Sequence, residues 1–232
     1  MKKYNIGVVI ADDYEFEPFK KYANKFDSEK SIENNNEIIT FSFSDKINVF
    51  AIKCGIGKVN ATIATSFLIF VKNCDIILNI GLSGAIKGIH RGDIIVGSEY
   101  LECDFDMVAV GLKPGEKPGQ DFIYKADEKL LNLARNCSID GIRRLGTGDL
   151  FLADKALKNK FDDLFDIYAF DMESAAIASV CYKANIPHLS IRKISDECDE
   201  NACETYRELN NKKEIHLSEV LEEMISQIQE NY

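Results

Sequence analysis

Short apolar runs alternate with segments of helical periodicity along the whole chain. Apolar runs bounded by polar residues or glycine predict strands at 5–11, 37–43, 47–54, 75–81, 93–102, 141–149, 168–173 and 188–195. Apolar residues spaced by three and four predict helices at 13–26, 57–73, 125–136, 154–161, 173–185 and 213–229. Because strands alternate with helices from end to end, the pattern predicts an α/β fold. We expect a single domain over residues 1–232, with a mixed central β-sheet flanked by helices.

Charge and composition narrow the range of partners. The chain has 38 acidic and 28 basic residues, and a net charge of -10 argues against nucleic acid as a partner. No apolar run approaches the ~20 residues that span a bilayer, so we expect no membrane association. The seven cysteines are odd in number and form no CxxC pair, which favours free thiols in a reducing, cytoplasmic location.

The sequence indicates no metal and no cofactor. His90, His188 and His216 lie far apart in the sequence and lack the spacing of metal ligands. The glycine-containing stretch GIGKVN at 55–60 also lacks the GxxxxGK[ST] spacing of a triphosphate-binding loop. Two glycines at the start of a helix more often serve to bring the backbone close to a neighbouring segment or a ligand than to bind a triphosphate.

Four predicted strands end in polar residues. These ends are ADDYE (11–15), GTGDLF (146–151), FDMES (170–174) and the SD pair at 195–196. Ligands of open α/β sheets bind beyond the carboxyl ends of strands, so the four segments are expected to converge on one pocket. The glycine turn NIGLSGAIKG (79–88) also follows an apolar strand.

Two of these carboxylates have two interpretations each. Glu173 is either an acidic residue favoured in the first turn of a helix, or a carboxylate that accepts hydrogen bonds from a vicinal diol. Asp196 begins a run of four carboxylates in five residues. It is either the point where the chain leaves the sheet for water, or a proton donor at the rim of the sheet. Asp199 and Glu200 are expected to face solvent.

The chain resembles the 5′-methylthioadenosine/S-adenosylhomocysteine nucleosidases of the nucleoside phosphorylase superfamily. The resemblance runs nearly end to end, and the order and spacing of its motifs are specific. The motifs are GIGKVNA, NIGLSGA with RGDIIV, DFDMVAVGLKPGEKPG, YKADEKL, GTGDLF, DMES with AIASVCYKANIP, and IRKISD. The resemblance implies a nucleoside-phosphorylase-like fold and hydrolysis of the N-glycosidic bond, with release of adenine.

The resemblance also implies a role for each matched residue. Asp196 matches the general acid that protonates the departing adenine, and Ser195 the residue that orients it. Glu15 matches the base that polarises the attacking water, and Glu173 the carboxylate that holds the ribose hydroxyls. Arg192 is expected to orient Glu15 or the water, unless it only forms an ion pair at the sheet edge.

Further matched residues are expected to bind the substrate. Phe151 would stack on adenine, the backbone of Leu152 would read its amine edge, and Met172 would pack on the sugar. Ile56 and Tyr206 would cover the 5′-alkylthio group. The family completes this pocket from the second subunit of a homodimer, here through the region of Met107, Val110 and Pro118.

Some positions depart from the family pattern. Asp12 replaces a methionine near the sugar, and Val110 and Lys193 also differ from the usual residues. Leu82 stands where a serine usually helps to hold the water, and Ser83 is expected to face elsewhere. The alternatives are another nucleosidase or phosphorylase of the superfamily, such as a futalosine hydrolase or a purine nucleoside phosphorylase, and a nucleoside-binding protein with little turnover.

Overall fold

A computed structural model describes residues 3–212 and 216–232 of the chain. The strands are β1 Tyr4–Ile10, β2 Glu29–Glu33, β3 Asn36–Ser42, β4 Ile47–Lys53, β5 Ile76–Ala85, β6 Ile94–Glu102, β7 Ile123–Lys125, β8 Gly141–Thr147, β9 Ala169–Asp171 and β10 His188–Asp196. The helices are α1 Asp13–Ala23, α2 Lys58–Phe70, α3 Glu128–Ala134, α4 Lys155–Phe165, α5 Ser174–Ala184, α6 Ala202–Lys212 and α7 Leu217–Asn231, with a 3-10 turn at Val108–Val110. This α/β arrangement with a mixed sheet confirms the predicted fold class.

Part of the sheet closes on itself. β5 pairs with β10, β10 with β6, β6 with β8, β8 with β9, and β9 returns to β5. From this ring the sheet continues through β1, β4, β3 and β2. β1, β5 and β10 are consecutive parallel strands, so the segments that follow them meet at one edge of the sheet.

The strands at the centre of the sheet are buried on both faces. Every residue of β5 and of β10 is buried, as are Ile6 to Ile10 in β1. Strands covered on both faces read as continuous apolar runs, which is why the sequence predicts them clearly. The polar residues within β10 are therefore exceptions to the apolar core. None of the helices in the described residues is both long and apolar enough to cross a membrane.

The structure corrects several predicted elements. β5 does not end at residue 81 but continues through the glycine-containing segment to Ala85. Gly81 is required there, because a Cβ at this position would collide with the side chains of Arg192 and Glu15. The sequence analysis missed β2, β7 and α6. The predicted helix at 125–136 is shorter, since β7 ends at Lys125 and α3 begins at Glu128. The start of the predicted last helix, at 213–215, lies outside the described residues.

Candidate active site

A cavity of about 330 Å³ opens at the edge of the sheet where β1, β5 and β10 end. Ten of the thirteen predicted site residues line it: Glu15, Ile56, Leu82, Phe151, Leu152, Met172, Glu173, Ser195, Asp196 and Tyr206. Arg192 lies buried beside it, whereas Met107 and Pro118 do not line it. The convergence of the strand ends therefore occurs as the sequence analysis expected.

Glu15 is held at the start of α1 by backbone amides. Its Oε2 accepts hydrogen bonds from the N–H groups of Ala11 (3.0 Å) and Asp12 (3.3 Å), and its Oε1 accepts one from Leu82 (2.7 Å). Burial raises the pKa of Glu15 to about 8, and the charges of Asp12 and Glu173 act in the same direction. Arg192 and the Leu82 amide oppose that rise. A carboxyl group with these properties titrates near neutral pH, as a general base requires.

Glu173 directs its carboxylate away from the helix that it precedes. Asp171 Oδ1 accepts the N–H groups of Glu173 and Ser174, while the side chain of Glu173 makes no capping bond. Instead, Glu173 Oε1 accepts the N–H of Gly57 across the pocket at 3.0 Å. The positive φ of 100° at Gly57 suits glycine. Helix capping therefore does not account for Glu173, whose pKa is raised to about 7 by burial.

Arg192 does not lie at a sheet edge. It belongs to β10, between β5 and β6, and is 0% exposed. Its Nη2 lies 3.2 Å from Asp171 Oδ2 and 3.6 Å from Glu173 Oε2, and its Nη1 donates to the carbonyl of Leu82 at 3.4 Å. Nε has no hydrogen-bond partner among the described residues, and Nη2 is held by the two ion pairs rather than by a hydrogen bond. The guanidinium is thus a buried cation paired with two carboxylates.

Asp196 lies at the end of β10 and is buried. Its Oδ1 accepts the N–H of Cys198 at 3.0 Å, and its Oδ2 lies 2.7 Å from the Ser195 hydroxyl. Ser195 is also 3.3 Å from the carbonyl of Ser83, so its proton can point there while its oxygen accepts from a protonated Asp196. Burial raises the pKa of Asp196, and the hydrogen bonds from Ser195 and Cys198 oppose that rise. Of the two acids expected to face solvent, Glu200 is exposed and Asp199 is half-buried.

Asp196 and Glu15 lie on opposite sides of β5. Glu15 follows β1 and Asp196 ends β10, and these strands are the two parallel neighbours of β5. Adjacent strands are about 4.8 Å apart, so the ends of β1 and β10 are roughly 10 Å apart. Glu173, at the start of α5, lines the same cavity. This separation accommodates a nucleoside-sized ligand between Glu15 and Asp196.

Aromatic and aliphatic residues form the outer wall. The rings of Phe151 and Tyr206 meet edge to face at 5.6 Å, and Tyr206 contacts Tyr14 in the same way at 6.3 Å. Tyr206 comes from α6, which the sequence analysis did not predict as an element. Leu152 is buried, whereas Ile56 is half-exposed at the mouth of the pocket.

The expectation for Ser83 is wrong. Ser83 lines the pocket together with Leu82 rather than facing away from it. Its buried hydroxyl has no hydrogen-bond partner among residues 3–212 and 216–232. The reason is that β5 continues past Gly81. Because side chains alternate along a strand, Ser83 lies on the same face of β5 as Gly81. The side chains of Arg192 and Glu15 lie next to Gly81 on that face.

An ion-pair network that the sequence analysis missed joins two loops of the pocket. Asp149 Oδ1 accepts the N–H of Lys58 at 2.8 Å, and the N–H of Asp149 donates to Asp104 Oδ2 at 2.9 Å. Lys58 Nζ completes the network by pairing with Asp104 Oδ1 at 2.7 Å. These contacts fix the GIGK loop against the loop that carries Phe151. Both Lys58 and Asp149 lie inside quoted motifs, but no spacing rule predicts their contact.

Comparison with known proteins identifies the family. The sequence model of the phosphorylase superfamily matches residues 5–226. This chain belongs to the phosphorylase superfamily. It is 36% identical over 215 residues to a 5′-methylthioadenosine/S-adenosylhomocysteine nucleosidase of Buchnera aphidicola, covering 88% of this chain and 89% of that protein. The corresponding nucleosidase of Anoxybacillus flavithermus is 34% identical over 196 residues, covering 79% of this chain and 83% of that protein. These matches confirm the resemblance that the motifs indicate.

Solved structures share the fold. A Helicobacter pylori 5′-methylthioadenosine/S-adenosylhomocysteine nucleosidase in complex with butyl-thio-DADMe-Immucillin-A matches with a TM-score of 0.91 at 24% identity, covering 97% of this chain and 99% of that chain. A futalosine hydrolase mutant from the same species matches equally well, with a TM-score of 0.91, 24% identity and the same coverage. At this identity the likeness establishes the fold and leaves the substrate open.

Proposed function

We propose that this protein hydrolyses the N-glycosidic bond of 5′-methylthioadenosine, S-adenosylhomocysteine or both, and releases adenine. The observation that carries the proposal is the placement of Asp196 and Glu15 on opposite sides of β5, in a cavity that Glu173 also lines. Inverting glycosidases use such a pair of carboxyl groups. One is protonated and donates its proton to the leaving group, and the other activates a water molecule on the opposite face of the sugar ring.

Asp196 acts as the general acid. Adenine departs with negative charge on the purine, and a proton delivered to its ring nitrogen stabilises that leaving group. An ordinary aspartate, with a pKa near ~3.9, is almost wholly ionised at neutral pH. Burial raises the pKa of Asp196, and the hydroxyl oxygen of Ser195, 2.7 Å from Oδ2, can accept a hydrogen bond from the neutral acid. Asp196 is thereby suited to hold a proton until the glycosidic bond stretches.

Glu15 acts as the general base, and Glu173 binds the ribose diol. The attacking water is proposed to lie beside Glu15, within reach of the Ser83 hydroxyl, which has no hydrogen-bond partner among the described residues. Ser83 therefore takes the place of the serine expected at position 82. Leu82 still contributes through its backbone N–H, which orients Glu15.

The charge of the pocket favours water over phosphate as the nucleophile. Among the described lining residues are five carboxylates (Asp12, Glu15, Asp171, Glu173 and Asp196) and no lysine or arginine. A phosphate ion would be repelled by those carboxyl groups that are ionised, and Arg192 is already paired with Asp171 and Glu173. A phosphorylase would need several cationic donors converging on the anion.

Adenine release from 5′-methylthioadenosine, S-adenosylhomocysteine and adenosine, each with and without phosphate, tests the proposal. Release from the thio-nucleosides in the absence of phosphate is the expected result. Release that requires phosphate would identify a phosphorylase instead. Binding without release from any of the three would favour a nucleoside-binding protein or a different nucleoside substrate.

The role of Glu173 makes a separate prediction. We expect Glu173→Gln to lower kcat/KM for adenosine about 10 to 100-fold more than for 2′-deoxyadenosine, because hydrogen bonds to a charged group contribute about 1.5–3 kcal/mol. Parallel kinetics of the two substrates measure this difference. Equal losses on both would show that Glu173 does not bind the 2′-hydroxyl.

An exposed apolar stripe on α2 supports a homodimer. Val59, Ile63 and Phe70 are 69%, 53% and 68% exposed, and their spacing of four and seven places them on one face of the helix. Such a stripe typically marks a protein–protein contact. Ile56, at the mouth of the pocket, directly precedes this helix, so a partner seated on the stripe would lie beside the pocket. The segment with Met107, Val110 and Pro118 is proposed to complete the neighbouring pocket in this way.

Ile63→Lys is expected to dissociate the dimer and to lower kcat/KM for 5′-methylthioadenosine about tenfold or more, because the pocket loses apolar wall. Sedimentation velocity and kinetics on the same samples measure both effects. Ile32→Lys is the matched control, since Ile32 is an exposed isoleucine on the edge strand β2. A fully active monomer would refute a shared pocket.

A further inference from the structure

Asp12 forms a polar contact across the pocket. Its Oδ1 caps α1 by accepting the N–H of Glu15 at 3.0 Å, and its Oδ2 accepts the hydroxyl proton of Tyr206 at 2.8 Å. Tyr206 belongs to α6 and contacts the ring of Phe151. The wall that the sequence analysis expected to be aromatic therefore presents a carboxylate and a phenol side by side.

The position of Asp12 in the fold indicates which end of the proposed substrate it would contact. Asp12 follows β1, whereas Asp196 ends β10 on the other side of β5. If Asp196 contacts the purine and Glu173 the ribose diol, the far end of the pocket receives the 5′-substituent. This inference rests on the proposed function for that orientation. Asp12 and Tyr206 then lie at the 5′ end.

Asp12 carries a charge that no described cation neutralises. No ion pair joins it to a lysine or arginine in residues 3–212 and 216–232, and it lines the pocket. A carboxylate offers about four acceptor sites, and Asp12 uses two of them. An apolar ligand group placed against it would remove water from the charge without replacing the lost hydrogen bonds, which is unfavourable.

We propose that Asp12 makes the pocket selective for nucleosides whose 5′-substituent carries a hydrogen-bond donor, above all an ammonium group. Such a donor pairs with the free acceptor sites of Asp12 while Tyr206 holds the carboxylate in place. A methylthio group makes no such bond, and a 5′-phosphate is repelled. The selectivity arises at the substituent and leaves the chemistry at C1′ to Asp196, Glu15 and Glu173.

The test compares 5′-amino-5′-deoxyadenosine with 5′-methylthioadenosine at neutral pH, where the primary amine is protonated. Wild-type protein should prefer the amino compound, and Asp12→Asn should lower the ratio of the two kcat/KM values about tenfold or more. Asparagine keeps the helix-capping oxygen and removes only the charge. Tyr206→Phe, which leaves the carboxylate intact, should retain a preference for the amino compound.

Asp13→Asn is the matched control, because Asp13 is a neighbouring carboxylate that pairs with Lys53 outside the pocket. It should leave the ratio unchanged. A wild-type preference for the methylthio compound would overturn the proposal, as would a ratio that is unaltered in Asp12→Asn or equally altered in Asp13→Asn. The same ratio can be measured as dissociation constants by calorimetry. If the protein binds both compounds but turns over neither, the proposed hydrolysis is contradicted. The ratio of the dissociation constants still tests the selectivity assigned to Asp12.

Discussion

Asp196→Asn is expected to bind 5′-methylthioadenosine with nearly unchanged affinity and to release adenine about 10²–10⁴-fold more slowly than the wild type. Asparagine can still accept the N–H of Cys198, so the end of β10 keeps its hydrogen bond. It cannot deliver a proton to the leaving group. The variant should therefore lose kcat and retain the dissociation constant.

Calorimetry and single-turnover kinetics on Asp196→Asn separate binding from chemistry. Asp199→Asn is the control, because it makes the same substitution three residues further along, outside the residues that line the pocket. Wild-type turnover in Asp196→Asn would remove Asp196 from the mechanism. Loss of binding in the variant would instead indicate that Asp196 holds the substrate.

Glu15→Gln is expected to lower kcat about 10²–10⁴-fold, because the amide cannot accept a proton from the attacking water. Wild-type kcat/KM should rise with pH toward about 8, because burial raises the pKa of Glu15 to about 8 and the base acts only when deprotonated. Deprotonation of Asp196, whose pKa is also raised by burial, should produce the opposing, falling limb of the profile. Because the charge of Glu173 affects the ionisation of Glu15, the pKa read from the rising limb is a property of both carboxyl groups together.

The pH dependence of kcat/KM in the wild type and in Glu15→Gln measures this effect. The rising limb near pH 8 should disappear in the variant. Glu17→Gln is the control, since Glu17 lies on the same helix and pairs with Lys20 at the surface. A limb near pH 8 that is unchanged in Glu15→Gln would assign the titration to another group.

The sequence predicts the centre of the sheet well because physical constraints there are local. β1, β5 and β10 are buried on both faces, and short apolar runs bounded by polar residues are typical of such strands. The polar residues directly after or at the end of these strands stand out for the same reason. Glu15 and Asp196 can therefore both be recognised as candidates from the sequence alone.

Other features depend on contacts between distant segments. β2 reads EKSIE and is almost wholly exposed, so it lacks the apolar alternation that marks a strand. α6 carries Tyr206 to the pocket, but its sequence, ACETYRELNNK, has too few apolar residues to show a helical stripe. β5 continues past Gly81, where the side chains of Arg192 and Glu15 leave no room for a Cβ. No local rule predicts this close approach of residues that are distant in the sequence.

The site differs from the arrangement predicted from the sequence mainly at residues whose contacts join distant segments. Ser83 faces the pocket because β5 is longer than predicted. Asp149 links two loops through Lys58 and Asp104, which are distant in the sequence. Asp12 gains Tyr206 as a partner only once α6 has folded over the pocket. In each case the residue type is visible in the sequence, but its partner is not.

The proposed attack by water can be followed in the hydrolysis of 5′-methylthioadenosine in phosphate-free, ¹⁸O-labelled water. We expect stoichiometric release of free adenine and one ¹⁸O atom at C1 of the 5-methylthioribose product. Catalysis that begins only when phosphate is added, with a sugar 1-phosphate as the product, would contradict it, as would the absence of any adenine release from a nucleoside that binds.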